Sequence, residues 1–392
     1  MIKSYKYRLS PTRKQHDALQ ETLDRCRELY NAALQERRDA YRMCHVSLNY
    51  YDQAAQLSEI KELREEYTGI HSQVLQDVLR RVEKGMKAFF RRLKAGEAPG
   101  YPRFQSRDRY DSVTYPQSGF RLTHDSRVCL SKIGSIKVKL HRPLEGILKN
   151  CTVKREGEYW YVLFSCEVEQ VARLAYTDDA IGIDLGLLHF ATLSTGDTIE
   201  NPRYYRRGEK GLQKAQQHLA RCKRGSHRRN KARKHVARCH RKVRNQRADF
   251  LHKQSRQLVN TYETLVFEGL SPSNMSKAPK PKQDENGAYL PNGASQKAGL
   301  NKSIVDAGWG TFVSMGKSKA EEAGSVHVFT VNPEYTSQMC SGCGVVRKKV
   351  LSERWHSCEC GIELDRDHNA ALNILRLGRS QQEAIPVEAP AF

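Results

Sequence analysis

Four cysteines near the C-terminal end stand in two close pairs, Cys340-Ser-Gly-Cys343-Gly344 and, after fourteen residues, Cys358-Glu-Cys360-Gly361. Two thiolates from each of two glycine-supported turns are what a tetrahedral Zn²⁺ takes in a zinc ribbon. The second pair is C-x-C rather than C-x-x-C, so His356 stands as an alternative ligand. Four unligated buried cysteines are the less favoured reading. A closed four-sulfur site would be structural, holding together a segment that has no core of its own. A second kind of chemistry comes from isolated acids. Ala180-Ile-Gly-Ile-Asp184-Leu-Gly186 and Thr264-Leu-Val-Phe-Glu268-Gly269 each set one acid inside an apolar strand, where it is costly unless paired or metal-bound. A third acid comes from Asp365-Arg-Asp367-His-Asn-Ala-Ala-Leu-Asn-Ile374, at the start of a terminal helix. Brought to one point, the three would repel unless divalent cations neutralised them, and an all-oxygen site suits Mg²⁺ or Mn²⁺. Two such metals hydrolyse phosphodiesters. Asp367 taken alone reads equally well as a helix cap.

The Ile-Gly-Ile-Asp-Leu-Gly phrase also occurs in nucleotide-binding ATPases. Here Leu187-Leu-His-Phe190 follows, in place of hydroxyl residues that cradle phosphate, and no second glycine-rich phosphate loop is present. The charge favours a nuclease. The 392 residues carry 66 Lys and Arg against 44 Asp and Glu, and the excess is concentrated. Between Arg206 and Arg256 nineteen basic residues face only Glu209 and Asp249, a net of +17. A solvated helix face is the bland reading, but so dense a block repels itself unless a polyanion neutralises it, as a nucleic-acid backbone does by counterion release. Arg221, Lys223, Arg224, Arg228, Arg229, Lys231, Arg233 and Lys234 are the expected phosphate contacts. Leu212, Leu219, Val236, Val243, Phe250, Leu251 and Leu258 recur through the block, which predicts two helices turning at Gly225-Ser226.

The elements that must position these groups follow from periodicity. Tyr5, Tyr7 and Leu9 alternate with cations in a strand, and Ser10-Pro11 reads as the cap of an amphipathic helix running to about Tyr41. A second helical region spans about 52–94. Its end, Lys87-Ala-Phe-Phe-Arg-Arg-Leu-Lys94, interleaves aromatics with cations, and Gly96, Pro99, Gly100 and Pro102 stop it. From Ser112 to Glu169 the period becomes two, with a hairpin at Gly157, which predicts a small barrel that includes the first strand. Residues 271–303 lack apolar period and read as a mobile loop. A helix over 304–323 and a strand over 326–331 follow. The longest apolar run is six residues, Tyr159–Phe164, far short of the ~20 that a spanning helix needs. Met1–Leu9 carries charges where a secretion signal needs an apolar core, and eleven cysteines without such a signal argue against a disulfide framework. The expectation is a cytosolic protein with no membrane partner.

Together Gly182-Ile-Asp184-Leu-Gly186, Phe267-Glu268-Gly-Leu270, Thr336-Ser-Gln-Met-Cys-Ser-Gly-Cys-Gly344 and Asp365-Arg-Asp367-His-Asn-Ala-Ala-Leu-Asn-Ile374 resemble the TnpB family of transposon-encoded, RNA-guided DNA endonucleases, similar to the ancestors of type V CRISPR effectors. Tyr5–Thr12, Pro99–Phe104 and Asn245–Lys253 extend the resemblance over nearly the whole chain. It implies an α/β fold with β-barrel and helical parts. A wedge β-barrel (1–9 and 96–175) would hold an inserted helical recognition lobe (10–95). A RuvC-type RNase H-like nuclease domain (176–333 and 365–378) would hold an inserted zinc ribbon (334–364), with a disordered tail at 379–392. By motif, Asp184, Glu268 and Asp367 would be the catalytic, Mg²⁺-binding trio, with Asp365 as a supporting neighbour. Cys340, Cys343, Cys358 and Cys360 would hold Zn²⁺. The implied partners are a noncoding guide RNA from the transposon end and double-stranded target DNA bearing a short adjacent motif. Contact with that motif is expected near Ser72, Gln76 and Thr114, while base pairing reads the rest of the target. A guided DNA-binding repressor that does not cut, and a transposase that transfers strands itself, are the alternatives. Gly316 departs from expectation, because it places glycine inside a helix that flanks the catalytic sheet.

Overall fold

The computed structural model describes residues 1–169, 179–350 and 353–383, and the chain divides into two compact units at Glu169. The expected barrel residues 170–175 and the tail beyond Glu383 lie outside the described residues.

The first unit opens with β1 (Ile2–Ser10) and the long helix α1 (Arg13–Cys44). Ser10 stays in the strand, paired with Lys137, so the cap falls two residues later than the Ser-Pro signal suggests. Thr12 closes a capping box: its hydroxyl accepts from the Gln15 N–H, and the Gln15 side chain accepts from the Thr12 N–H. The second helical region is broken into α2 (Tyr50–Ala55), α3 (Leu57–Leu63), a 3₁₀ turn and α4 (Ser72–Lys94). Val74, Leu75, Val78, Leu79 and Val82 of α4 are buried, at the three- and four-residue spacing of an amphipathic face.

Six more strands follow: β2 (Ser112–Tyr115), β3 (Phe120–Thr123), β4 (Arg127–Leu130), β5 (Gly134–Lys139), β6 (Ile147–Glu156) and β7 (Tyr159–Glu167). With β1 they form one antiparallel sheet in the order β2-β6-β7-β1-β5-β4-β3. Its two edges meet. The Tyr115 ring on β2 lies 6.5 Å from Phe120 on β3, so the sheet curls around Tyr5, Tyr7, Trp160, Val162 and Phe164. The first strand therefore joins the barrel-like sheet, and the helices are inserted between its strands.

The second unit has a five-stranded sheet, built from β8 (Ala180–Leu185), β9 (His189–Leu193), β10 (Thr198–Glu200), β11 (Thr264–Glu268) and β14 (His327–Val331). The order is β10-β9-β8-β11-β14, with the first three antiparallel and β11 parallel to both neighbours, an RNase H-like arrangement. Between β10 and β11 the basic block forms α5 (Tyr204–Arg221) and α6 (His227–Thr261), joined by the expected turn. The segment read as a mobile loop is partly ordered. It holds α7 (Pro272–Met275), a hairpin of β12 (Lys282–Gln283) and β13 (Tyr289–Leu290), and the start of α8 (Ala294–Ala307). Gly308, with φ +72°, ends α8 and begins α9 (Trp309–Ala323), so the single helix expected over 304–323 is two. Weak amphipathicity hid α8: only Ile304, Asp306 and Ala307 of it are buried.

After β14 the chain forms the cysteine-bearing segment with its ribbon of β15 (Trp355–Ser357) and β16 (Glu363–Asp365), then α10 (Arg366–Glu383). The helix continues into the expected tail as far as Glu383. Phe267 and Ile183 pack with Phe190, Phe250 and Phe312 on the side of the sheet that faces α6 and α9. Val266 packs with Ile374 of α10 on the other. No helix among the described residues is long and apolar enough to cross a membrane.

Candidate active site

Strand register places the acids. Val266 of β11 stands opposite Gly182 of β8, and Phe267 opposite Ile183. Side chains alternate along a strand, so Glu268 and Asp184, two residues on, share the face of Val266 and Gly182. That is the face α10 covers. A Cβ on Gly182 would sit 2.1 Å from the Ala371 carbonyl oxygen and 2.7 Å from the Leu375 nitrogen, so the absence of a side chain lets the helix backbone lie on the strand. Asp367 is four residues before Ala371, one turn toward the end of β8 that carries Asp184.

Asp184 feels the charges of the other two carboxylates. Burial, then the Glu268 and Asp367 charges, push the Asp184 carboxyl well above the usual carboxylate range. Glu268 and Asp367 are raised too, first by burial; the hydroxyl of Thr336, donating to Glu268 at 2.9 Å, opposes the shift in Glu268. None of the three forms a salt bridge with the described residues, although Arg366 lies close enough to temper both Asp184 and Asp367. A half-buried, like-charged, all-oxygen group with no salt bridge to the described residues suits a divalent metal such as Mg²⁺.

Asp365 and Asp367 separate in role. The Asp365 carboxylate accepts from the backbone N–H groups of Asp367 (2.8 Å) and His368 (3.3 Å), so it caps α10 and leaves Asp367 free of that duty. Two asparagines that sequence reasoning passed over hold the arrangement. Asn369 and Asn373, both fully buried, donate to the Met339 carbonyl at 2.8 and 2.7 Å, and Asn373 also donates to the Thr336 carbonyl at 2.9 Å. Asn369 accepts from the Ser341 N–H at 2.9 Å. They fix the loop that supplies both Thr336 and Cys340. Their signal was there: two amides four residues apart on the buried, otherwise apolar face of the helix.

The sulfurs of Cys340, Cys343, Cys358 and Cys360 all lie within 4.8 Å of one another. Cys340–Cys360 and Cys343–Cys358 are 3.5 Å apart, far beyond a disulfide bond and suited to four thiolates around one ion. The C-x-C spacing therefore closes a Cys₄ set consistent with a zinc ribbon. His356, buried beside Cys340, contacts Lys349 and lies outside the four-sulfur set.

Of the expected phosphate contacts, Arg221, Lys223, Arg224, Arg228, Lys231, Arg233 and Lys234 are exposed. Arg229 differs: its guanidinium donates to the Leu219 and Cys222 carbonyls, both at 3.0 Å, and so clamps the α5–α6 turn. In the first unit Arg81 of α4 donates to Thr114 at 2.9 Å and to the Ser112 carbonyl at 2.7 Å, which draws α4 and β2 together. Thr114 is also bonded to Thr152 (2.9 Å), and Ser72 accepts from Lys61 (2.8 Å). Gln76 is half-buried on α4.

Residues 163–278 match a family model described as "Probable transposase", and 309–374 match "Cas12f1-like, TNB domain". Residues 1–44 match a "Helix-turn-helix domain", although they form one strand and one helix. The chain is 30% identical over 384 residues to "Putative RNA-guided DNA endonuclease InsQ" of Escherichia coli K12, covering 97% of this chain and 93% of that protein. The chain belongs to the TnpB family. Another TnpB relative, from Streptomyces pristinaespiralis and described as "Putative RNA-guided DNA endonuclease", is 33% identical over 384 residues, covering 96% of this chain and 89% of its own. The fold is shared with a solved structure of a Cas12f1–sgRNA–target DNA complex (TM-score 0.56, 14% identity, 92% of this chain and 82% of that one).

Proposed function

We propose that this TnpB protein is an RNA-guided endonuclease of double-stranded DNA whose single nuclease centre is Asp184, Glu268 and Asp367. The observation that carries the reading is a half-buried Asp184 on the α10 face of an RNase H-like sheet, its carboxyl raised by burial and by the charges of Glu268 and Asp367, with no salt bridge from any of the three to the described residues. The descriptions of relatives that align over almost the whole chain support the same reading. Divalent cations held by the three carboxylates would supply the positive charge needed for in-line attack of water on a phosphodiester. The chain's own residues do the positioning: Thr336 orients Glu268, Asp365 caps the helix that presents Asp367, and Gly182 sets the depth of that helix.

A structural Zn²⁺ on the four cysteines would hold the ribbon, 334–364, within the nuclease domain. The wedge would be the curled sheet and the recognition lobe its inserted helices. A guide RNA from the transposon end would be held in part by the exposed cations of the α5–α6 hairpin. Ser72, Gln76 and Thr114 would border the contact to a short target-adjacent motif, with Arg81 fixing Thr114 in place.

The test is to purify the protein with its own genomic locus expressed, sequence the RNA it retains, and assay cleavage of a matching target with Mg²⁺. Asp184→Ala is expected to abolish cutting and leave RNA retention intact. A protein that retains no defined RNA and yields strand-transfer products would instead be a transposase.

A further inference from the structure

The end of α4 and the chain beyond it carry aromatic side chains that the nuclease reading leaves unused. Phe90 and Leu93, one turn apart, are 55% and 53% exposed, and Tyr101 and Phe104 are 39% and 46% exposed. Single exposed apolar residues are ordinary, but these aromatics join. Phe89 meets Phe90 at 5.2 Å and Tyr101 at 5.4 Å, both edge to face. The segment is also anchored. Pro102 lies over Gly85 of α4, and Gln105 exchanges hydrogen bonds of 2.8 and 3.0 Å with the side chain of Asn31 on α1.

The cations around it are unevenly neutralised. Lys87 pairs with Glu83 and Arg92 with Glu97, whereas Arg91, Lys94 and Arg103 are exposed and form no ion pair with the described residues. A rigid aromatic surface amid unneutralised cations complements a ligand with π-faces and negative charge. A second copy of this chain would bring the same cations to the contact, and an apolar protein partner would leave them desolvated and unpaired. Nucleic acid meets both demands. Aromatic side chains take bases that are already unstacked, which the single-stranded parts of an RNA offer and a paired target strand does not.

We propose that Phe90 and Tyr101 form a stacking platform for unpaired bases of the bound RNA, with Arg91, Lys94 and Arg103 on the adjoining phosphates. The inference rests on the RNA-guided reading above and adds a site to it. The probe is the RNA that copurifies with the full chain, stripped, end-labelled and titrated back without divalent metal at several salt concentrations. Phe90→Ala and Tyr101→Ala are each expected to weaken binding about tenfold, within the range of one base–aromatic stack. The slope of log affinity against log salt should stay unchanged. Tyr101→Phe should keep full affinity, and Phe90→Leu should be as weak as Phe90→Ala. Arg91→Ala and Arg103→Ala should each lower the slope by about 0.7, the value for one phosphate of a single strand.

In RNA carrying 4-thiouridine, photocrosslinks should map to the peptide 88–104. Unchanged affinity in the alanine variants, wild-type affinity in Phe90→Leu, or self-association of the RNA-free protein that Phe90→Ala abolishes would each overturn the platform. Wild-type protein that retains no RNA would overturn the RNA-guided reading along with it. Wild-type protein that retains RNA but is indifferent to these replacements refutes the platform alone.

Discussion

Gly182→Ala is the most direct probe of how the proposed nuclease centre is assembled. The added Cβ would lie 2.1 Å from the Ala371 oxygen, and both contacting groups are helix backbone that no rotamer change can move. To restore ordinary contact, α10 must lift from β8 by at least about 1 Å. Overpacking of this kind costs ~1–3 kcal/mol, and a rigid clash belongs at the upper end. In a unit of this size each kcal/mol lowers the melting temperature by ~2–4 °C, so a drop of about 6–12 °C is expected. The same displacement carries Asp367 away from Asp184 and Glu268, and a misplacement of ~1 Å at a reacting centre costs on the order of 10²-fold in rate. Single-turnover cleavage with guide RNA at saturating Mg²⁺ should fall by about that factor, while RNA retention is kept. Gly310→Ala, in the first turn of α9 with nothing within 4 Å of the added atom, is the comparator and should lower neither the melting temperature nor the cleavage rate. A Gly182→Ala protein that melts and cuts like the comparator would refute the contact between α10 and β8, and with it the route by which Asp367 reaches the other acids.

Asp184→Asn should raise the melting temperature of metal-free protein at pH 8. The raised folded-state pKa means the ionised carboxylate costs stability above that pKa. The gain should shrink as pH falls toward the unfolded carboxylate range near ~4, and added Mg²⁺ should stabilise the wild type but not the variant. Thr336→Val removes the hydroxyl that holds the Glu268 pKa down, so the acidic limb of the cleavage pH profile should move to higher pH without loss of RNA binding. Gly316→Ala should stabilise the protein by up to ~1 kcal/mol in thermal unfolding, because the added methyl meets the Phe267 ring at an ordinary 3.7 Å and removes a helix-interior glycine. Withdrawing zinc with a strong chelator should lower cleavage and loosen the loop 336–341, read as faster amide exchange at Met339 and Ser341.

The candidate acids and cysteines stood out in the sequence because their cost is visible in one dimension. An acid inside Ile-Gly-Ile-Asp-Leu or Leu-Val-Phe-Glu cannot be explained by burial alone, and paired cysteines beside glycines have few other uses. What could not be read was anything settled by contact between distant segments. Asp365 and Asp367 are chemically alike, and only the backbone N–H groups of the first helical turn show which one caps and which stays free. Arg229 looked like its basic neighbours until the carbonyls of Leu219 and Cys222 appeared beside it. The helix α8 was missed for the opposite reason: it buries too little apolar surface to impose a period on its sequence.

The asparagines of α10 tie the four-cysteine segment and the proposed nuclease centre to one stretch of chain. Asn369 and Asn373 bind the backbone at Thr336, Met339 and Ser341, so the turn that carries Cys340 and the hydroxyl that orients Glu268 are tied to one helix. One turn earlier that helix presents Asp367, and over its middle it lies on Gly182. A buried amide left without its partner costs ~1–3 kcal/mol, so ribbon and helix move together or not at all. Four thiolates around one ion would then fix more than the ribbon. They would hold Thr336 against Glu268 from one side while the glycine seat in β8 sets Asp367 from the other, and the nuclease centre would depend on both.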